Sequence, residues 1–398
     1  MHPDLSPESK ALRRELRAYF AEIISDEDRR ELMHQTEGGP TFDRILRRMG
    51  ADGWLGLGWP TEYGGRGVDP EAQYVFYDEV IRAGAPLSLV SLNTVAPALM
   101  RDGSEEQKRF FLPKILTGEL MFAIGYTEPS AGTDLASLRT SARIEGDEFV
   151  INGNKIFTSA GVYADWIWLA VRTDPDAPAH KGISVVLVPT TTPGFSVTEI
   201  HTVGGISTSA TYYENVRVPL TNLVGELNGG WSLITNQLNH ERVALAARGG
   251  IGNELFDAAS EWARTTSFGP GVVADIPWVQ STLGEAYALL SASDLINLRL
   301  VADISANTLT GGDSSAAKVV GTETVVEVYG MLQEVLGVAG LLRPDSEGAV
   351  AAGRIETLAR RAQNNTFGGG TNEVMRDLVA AKTLGMTLAP RRSDRKAQ

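Results

Sequence analysis

Three short stretches of this chain carry residue types that could hold a flat, polar ligand. The run GYTEPSAGTDL, residues 125–135, sets hydroxyls at Thr127, Ser130 and Thr133 among small residues. Such a loop brings backbone N–H groups close to a ligand and can hydrogen-bond the edge of a polar ring. The run NGNKIFTS, residues 152–159, spaces Phe157 and Ser159 two apart. On a strand they would share one face, an aromatic surface beside a hydroxyl. The run FGGGTNEVMRD, residues 367–377, leads three glycines into Thr371 and Asn372, which can cap a helix. Bare N–H groups at a helix start suit an anion or a pyrophosphate. By spacing alone each run also has a plainer explanation: a surface turn, a core aromatic, a helix–helix linker. The third is not a Walker A loop, because GK[ST] is missing.

The elements that must position these runs divide the chain in three. Residues 1–121 read as helical. ALRRELRAYFAEII places Leu12, Leu16, Tyr19, Phe20 and Ile23 at helical spacing, and FDRILRRMG and EAQYVFYDEVIRAG continue the pattern. WLGLGWPTEYGGRGVDP between them is a turn-rich connection. Residues 122–232 read as short strands, EFVINGNKIFTS, DWIWLAVRTD, KGISVVLVPT, FSVTEIHTV and SATYYENVRVP. Asn152-Gly153 predicts a hairpin turn, and the close spacing predicts a small antiparallel sheet or barrel rather than βαβ units. Residues 233–398 return to long periodic helices with short breaks, the pattern of an antiparallel bundle. A basic stretch after Leu388 reads as a frayed tail.

Composition bounds the rest. The chain has 398 residues, 43% hydrophobic and 21% charged, close to an ordinary globular protein of two or three domains. Its net charge of −13 disfavours a phosphate backbone, so nucleic acid is not an expected partner. Without cysteine, disulfides, thiolate catalysis and cysteine-ligated metal sites are excluded. No membrane span and no signal peptide are read, so a cytoplasmic location is expected.

The helical–β–helical order, YTEPSAGTDL entering the β segment, KIFTS within it, NVRVP leaving it and GGTNEV near the C-terminus together resemble the acyl-CoA dehydrogenase family. WLGLGWPTEYGG extends the resemblance into the first segment, so it covers nearly the whole chain. It implies an α+β fold: an N-terminal helical domain, a middle β-barrel domain and a C-terminal four-helix bundle. It also implies FAD, an acyl-CoA substrate, Cα–Cβ desaturation and an electron-transfer flavoprotein as electron acceptor. By resemblance, Tyr126, Thr127 and Thr133 match the loop at the isoalloxazine ring. Phe157, where a tryptophan is common, and Ser159 match the flavin's other side. Thr371 and Glu373 match positions near the ribityl and pyrophosphate groups.

The reaction needs a carboxylate base in an apolar pocket, which raises its pKa. Many relatives place it as the glutamate of YEGT, but here that position is Gly369. Glu241, in LNHERVALAA, falls where long-chain and branched-chain relatives carry theirs. Independently, Ile234, Leu238, Glu241 and Leu245 follow one helical face, where an unpaired carboxylate is costly without a task. The plainer alternative is an ion pair with Arg242 or Arg248. His240 points off that face. By resemblance, Arg242 lies beside the thioester.

The chain departs from the family where homo-oligomeric members reach into a neighbour's FAD. Their Arg-x-x-Phe-Gly run is stretched here by one residue, Arg264 to Phe268, although Gln280 still matches the following glutamine. Their GGxG reads GVAG at Gly337–Gly340. A chain that lends poorly should prefer a partner that lends well. LNHERVAL, FGGGTNEV and HTVGGISTSATYYENVRVP resemble the catalytic chain of actinobacterial α2β2 enzymes acting on steroid side-chain CoA thioesters. A homo-oligomer, a flavin acyl oxidase, a biosynthetic desaturase and a non-catalytic partner subunit stand as alternatives.

Overall fold

The computed structural model describes residues 4–35, 37–240 and 251–387. Glu241, Arg242 and the basic C-terminal stretch therefore lie outside the described residues. The described chain forms two compact units. One comprises residues 14–35, 37–69 and 83–240, and the other residues 4–13, 70–82 and 251–387.

In the first unit, helices lead into a sheet. The Pro40–Ala51 helix buries Phe42, Ile45, Leu46 and Met49 on one face, the 3.6-residue stripe read from the sequence. The Glu105–Leu116 helix begins with a capping box, Ser104 with Gln107. Its Phe111 packs edge-on against Trp166 of the sheet, with centroids 4.9 Å apart. Gln107 also donates to the carbonyls of Thr221 and Leu223, tying helix to sheet.

The sheet has eight strands: β1 (Phe122–Gly125), β2 (Ser141–Glu145), β3 (Glu148–Lys155), β4 (Trp166–Arg172), β5 (Ile183–Pro189), β6 (Phe195–His201), β7 (Ser207–Pro219) and β8 (Leu223–Val224). Their order is β6-β7-β3-β2-β4-β5-β8, with β1 beside β4. Most pairs are antiparallel, as the closely spaced runs predict. The β1–β4 pair and a single β2–β4 bridge are parallel. Alternating inward residues, among them Phe149, Ile151, Ile167, Leu169, Val186, Val188 and Val216, make one core.

The Asn152-Gly153 hairpin does not form. The chain reverses instead at Gly146-Asp147, where Gly146 takes φ +66 between β2 and β3. Asn152 and Gly153 lie inside β3, where the register against β7 shifts between Ile151 and Gly153. This is a bulge. Asn152 donates to the Asn215 side chain and accepts from the Asn215 N–H across it. Gly153 stands at φ +145, and a Cβ there would lie 2.7 Å from the Thr140 Cα.

In the second unit, the helices Ile251–Thr265, Pro277–Ser305, Gly311–Leu336 and Arg354–Ala362 share one core. Leu255, Leu290, Val328, Tyr329, Leu332 and Ile355 are among its members. The Gly311–Leu341 stretch is long and apolar enough to cross a membrane by length and composition alone. Its apolar side chains Val325, Val328, Leu332 and Leu336 are spent on this core.

Candidate functional site

The first two sequence runs meet in one unit, at the end of β3. The strand stops at Lys155. Phe157 follows at φ +59 and Ala160 at φ +58, so Phe157 and Ser159 do not sit on one strand face as the alternation predicts. They belong to a tight turn. Its bonds run from the Thr158 N–H to the Ser209 carbonyl at 2.9 Å and from the Tyr163 N–H to the Ala160 carbonyl at 2.9 Å. The Ala160 N–H donates to the Glu37 carboxylate. Gly38 lies so close to Tyr163 that a Cβ there would stand 2.3 Å from the ring. The outcome is an aromatic side chain left 62% exposed on a backbone that bulky residues avoid. Strain of this kind, held by its surroundings, is a mark of functional sites.

The 125–135 loop lies beside this turn. The Ile156 N–H donates to the Thr127 carbonyl at 2.9 Å, and Glu128 and Ala131 exchange two backbone bonds of 3.0 and 3.1 Å. The Tyr126 hydroxyl accepts from the buried Trp168 indole at 3.0 Å. Beneath the loop, the Lys155 ammonium donates to the Tyr126 carbonyl at 3.1 Å and to Glu128 at 2.9 Å. The second Glu128 oxygen accepts the Arg139 N–H at 2.7 Å. Burial lowers the Lys155 pKa to about 8 against the pull of Glu128. Burial opposes ionisation of Glu128 too, but the Lys155 charge and the hydrogen bonds outweigh it and hold the carboxyl below its ordinary range.

What this arrangement leaves open suits a flat, polar ring. The hydroxyls of Thr127, Thr133 and Ser159 have no hydrogen-bond partner among the described residues. Thr133 and Ser159 are exposed. The Thr158 hydroxyl is buried without a partner. An open aromatic face, unpartnered hydroxyls and the small Gly132 fit the flavin of FAD, which supplies a hydride acceptor when bound.

The third run belongs to the other unit. Thr371 caps the Asn372–Lys382 helix, its hydroxyl accepting from the Val374 N–H, as the sequence predicts. Glu373 is exposed in the first turn. Gly369 and Gly370 take φ +70 and +101. Asn372 does not cap: it is buried and reaches Glu323 and Thr322. Lys318 braces the turn, donating to the carbonyls of Thr366 and Gly370 and to the Asn372 side chain.

Sequence reasoning missed Lys155, Glu128, Trp168, Glu37 and Lys318. A signal existed for Lys155. It falls in the same alternating phase of β3 as the buried Phe149 and Ile151, where a lysine needs a buried anion. Nothing local pointed to Glu37 or Lys318.

Residues 6–119, 123–216 and 228–384 match the N-terminal, middle and C-terminal domains of acyl-CoA dehydrogenase. The chain belongs to the acyl-CoA dehydrogenase family, and the protein is an FAD-dependent enzyme of three-domain, mixed α and β architecture. It is 49% identical to acyl-CoA dehydrogenase FadE26 of Mycobacterium tuberculosis, over 98% of this chain and 100% of that one. The solved structure of the Tcur3481-Tcur3483 steroid ACAD superposes with a TM-score of 0.94 at 52% identity, covering 98% of this chain and 100% of that one. The ChsE4-ChsE5 complex of Mycobacterium tuberculosis gives 0.92 at 49% identity, with the same coverages.

Proposed function

We propose that this chain desaturates a steroid side-chain acyl-CoA thioester between Cα and Cβ. Glu241 takes the α-proton, and the β-hydrogen leaves as a hydride, for which the flavin of bound FAD would supply the acceptor. Arg242 holds the thioester end. Tyr126, Thr127, Thr133, Phe157 and Ser159 line the flavin ring, with Thr371 and Glu373 toward the ribityl and pyrophosphate groups. The observation that carries the cofactor placement is Phe157, exposed at φ +59 beside unpartnered hydroxyls. The substrate class rests on full-length similarity to the steroid enzyme.

In the same reading the domains run 1–121, 122–232 and 233–398, and the enzyme works in the cytoplasm with an electron-transfer flavoprotein. Its partner is a second acyl-CoA dehydrogenase-like chain in an α2β2 assembly. Two side chains support that partner. The Arg264 guanidinium donates twice to Glu261 of its own helix, and the Gln280 amide donates to the Ala274 carbonyl at 2.9 Å. Both residues that homo-oligomeric relatives extend toward a neighbour's cofactor are engaged at home.

FAD per chain, measured by absorbance on the protein expressed alone, tests the assembly. A folded product with almost no flavin is expected, and flavin should return on co-expression with the second chain. One FAD per chain in the isolated protein would make it a self-sufficient homo-oligomer.

A further inference from the structure

Lys155 and Glu128 form a salt bridge with almost no exposure to solvent. Burying two charges is expensive, and a well-packed apolar pair usually serves stability as well or better. What apolar side chains would not do is hold a loop by its backbone. Apart from the Thr140 side chain beside Glu128, the hydrogen bonds of the pair end on backbone or on the partner charge. Lys155 takes the Tyr126 carbonyl, and Glu128 takes the N–H groups of Arg139 and Thr140. The end of β3, the 126–131 loop and the 139–140 segment thus meet at one ion pair. The next charge nearby is Arg172, whose guanidinium donates to the carbonyls of Ala136 and Leu138 and so serves the same stretch of chain.

We propose that Lys155 and Glu128 are positioning residues for the flavin: the buried pair fixes the 126–133 loop so that its free hydroxyls and N–H groups meet the ring at hydrogen-bonding distance. The proposal rests on the reading of that loop as a flavin contact. Neither residue touches the reacting atoms. With the pair broken, the loop keeps its sequence and loses its register against β3. The Thr127 and Thr133 hydroxyls, which have no other partner among the described residues, then lose their alignment.

The test uses the holoenzyme, with its second chain where one is required. The variants are Lys155→Met, the isosteric Glu128→Gln, the double variant Thr127→Ala/Thr133→Ala, and Val186→Ala, a buried core residue of β5, as a stability control. FAD dissociation constants and the fine structure of the bound flavin's visible absorbance are measured on each, alongside the melting temperature. Both pair variants are expected to weaken FAD by about tenfold or more and to blur the absorbance bands, as charged hydrogen bonds of this strength imply. Val186→Ala should melt lower and keep its FAD.

Pair variants that bind FAD within about threefold of wild type overturn the proposal, since lost alignment must cost at least one hydrogen bond. If the threonine double variant weakens FAD while the pair variants do not, the positioning role falls alone. If none of them weakens FAD, the loop reading falls and takes the proposal with it. If Val186→Ala loses FAD as readily as Lys155→Met, the effect is one of general stability, and the proposal is equally overturned.

Discussion

Replacing Phe157 with asparagine should leave the stability of the chain almost unchanged while weakening its hold on FAD. At φ +59 the phenylalanine occupies a region that costs an ordinary L-residue about 1–2 kcal/mol and that asparagine tolerates better. Against that relief stands lost apolar burial. A fully buried phenylalanine gains about 1.5–3 kcal/mol. With 62% of the residue exposed, roughly two-fifths of that, about 0.6–1.2 kcal/mol, is at risk. The two effects nearly cancel, so the melting temperature of the apoprotein should move by less than about 4 °C. The flavin has no such compensation. Loss of a stacked aromatic removes about 0.5–1.5 kcal/mol beyond the area it covers, so FAD affinity should fall about tenfold. Thermal melts of the apoprotein and the rise in flavin fluorescence on release measure the two effects separately. A melting temperature lower by more than about 8 °C would show that Phe157 is packed rather than displayed. Unchanged FAD affinity would show that the exposed ring serves something else.

Glu241→Gln should lower turnover by about 10²–10⁴-fold with FAD content unchanged, and turnover within about threefold of wild type would remove it as the base. Gly153→Ala should cost more than about 1 kcal/mol in urea denaturation, because φ +145 and the nearby Thr140 Cα both oppose a Cβ; an unchanged midpoint would refute that account of the bulge. Burial lowers the Lys155 pKa from 10.5 to about 8, so between those values the unfolded chain binds more protons than the folded one. Unfolding free energy should therefore rise from pH 8 toward 10.5 relative to Lys155→Met, and parallel profiles would refute the shift.

The helices were the most legible part of the sequence, because a 3.6-residue stripe survives in any tertiary context. Pro40–Ala51 lies where the FDRILRRMG run places it, and the long helices Pro277–Ser305 and Gly311–Leu336 fall in the stretch that reads as long and periodic. The β segment was legible in five of its eight strands and in mostly antiparallel pairing, but not in its turns or in the short strands β1, β2 and β8. Asn152-Gly153 carries the strongest local hairpin signal, yet Asn215, 63 positions away, claims the asparagine and keeps the chain extended. Gly146-Asp147 then makes the reversal. The same limit hid the support of the site. Glu128 resembles a surface charge until the fold brings Lys155 to it, and the turn at Phe157 depends on Glu37, 123 positions from Ala160.

The reciprocal bonds between Glu128 and Ala131, and the one from Ile156 to Thr127, divide the loop's amides into two populations. The amides of Glu128, Ala131 and Ile156 can exchange their hydrogens with solvent only when these loop bonds open. Those of Thr127, Gly132 and Thr133 donate to nothing among the described residues and should exchange almost as fast as in a free peptide. Slow and fast deuterium uptake should therefore alternate within a few residues of one loop. A ligand docking on this surface would register as protection of the fast set alone.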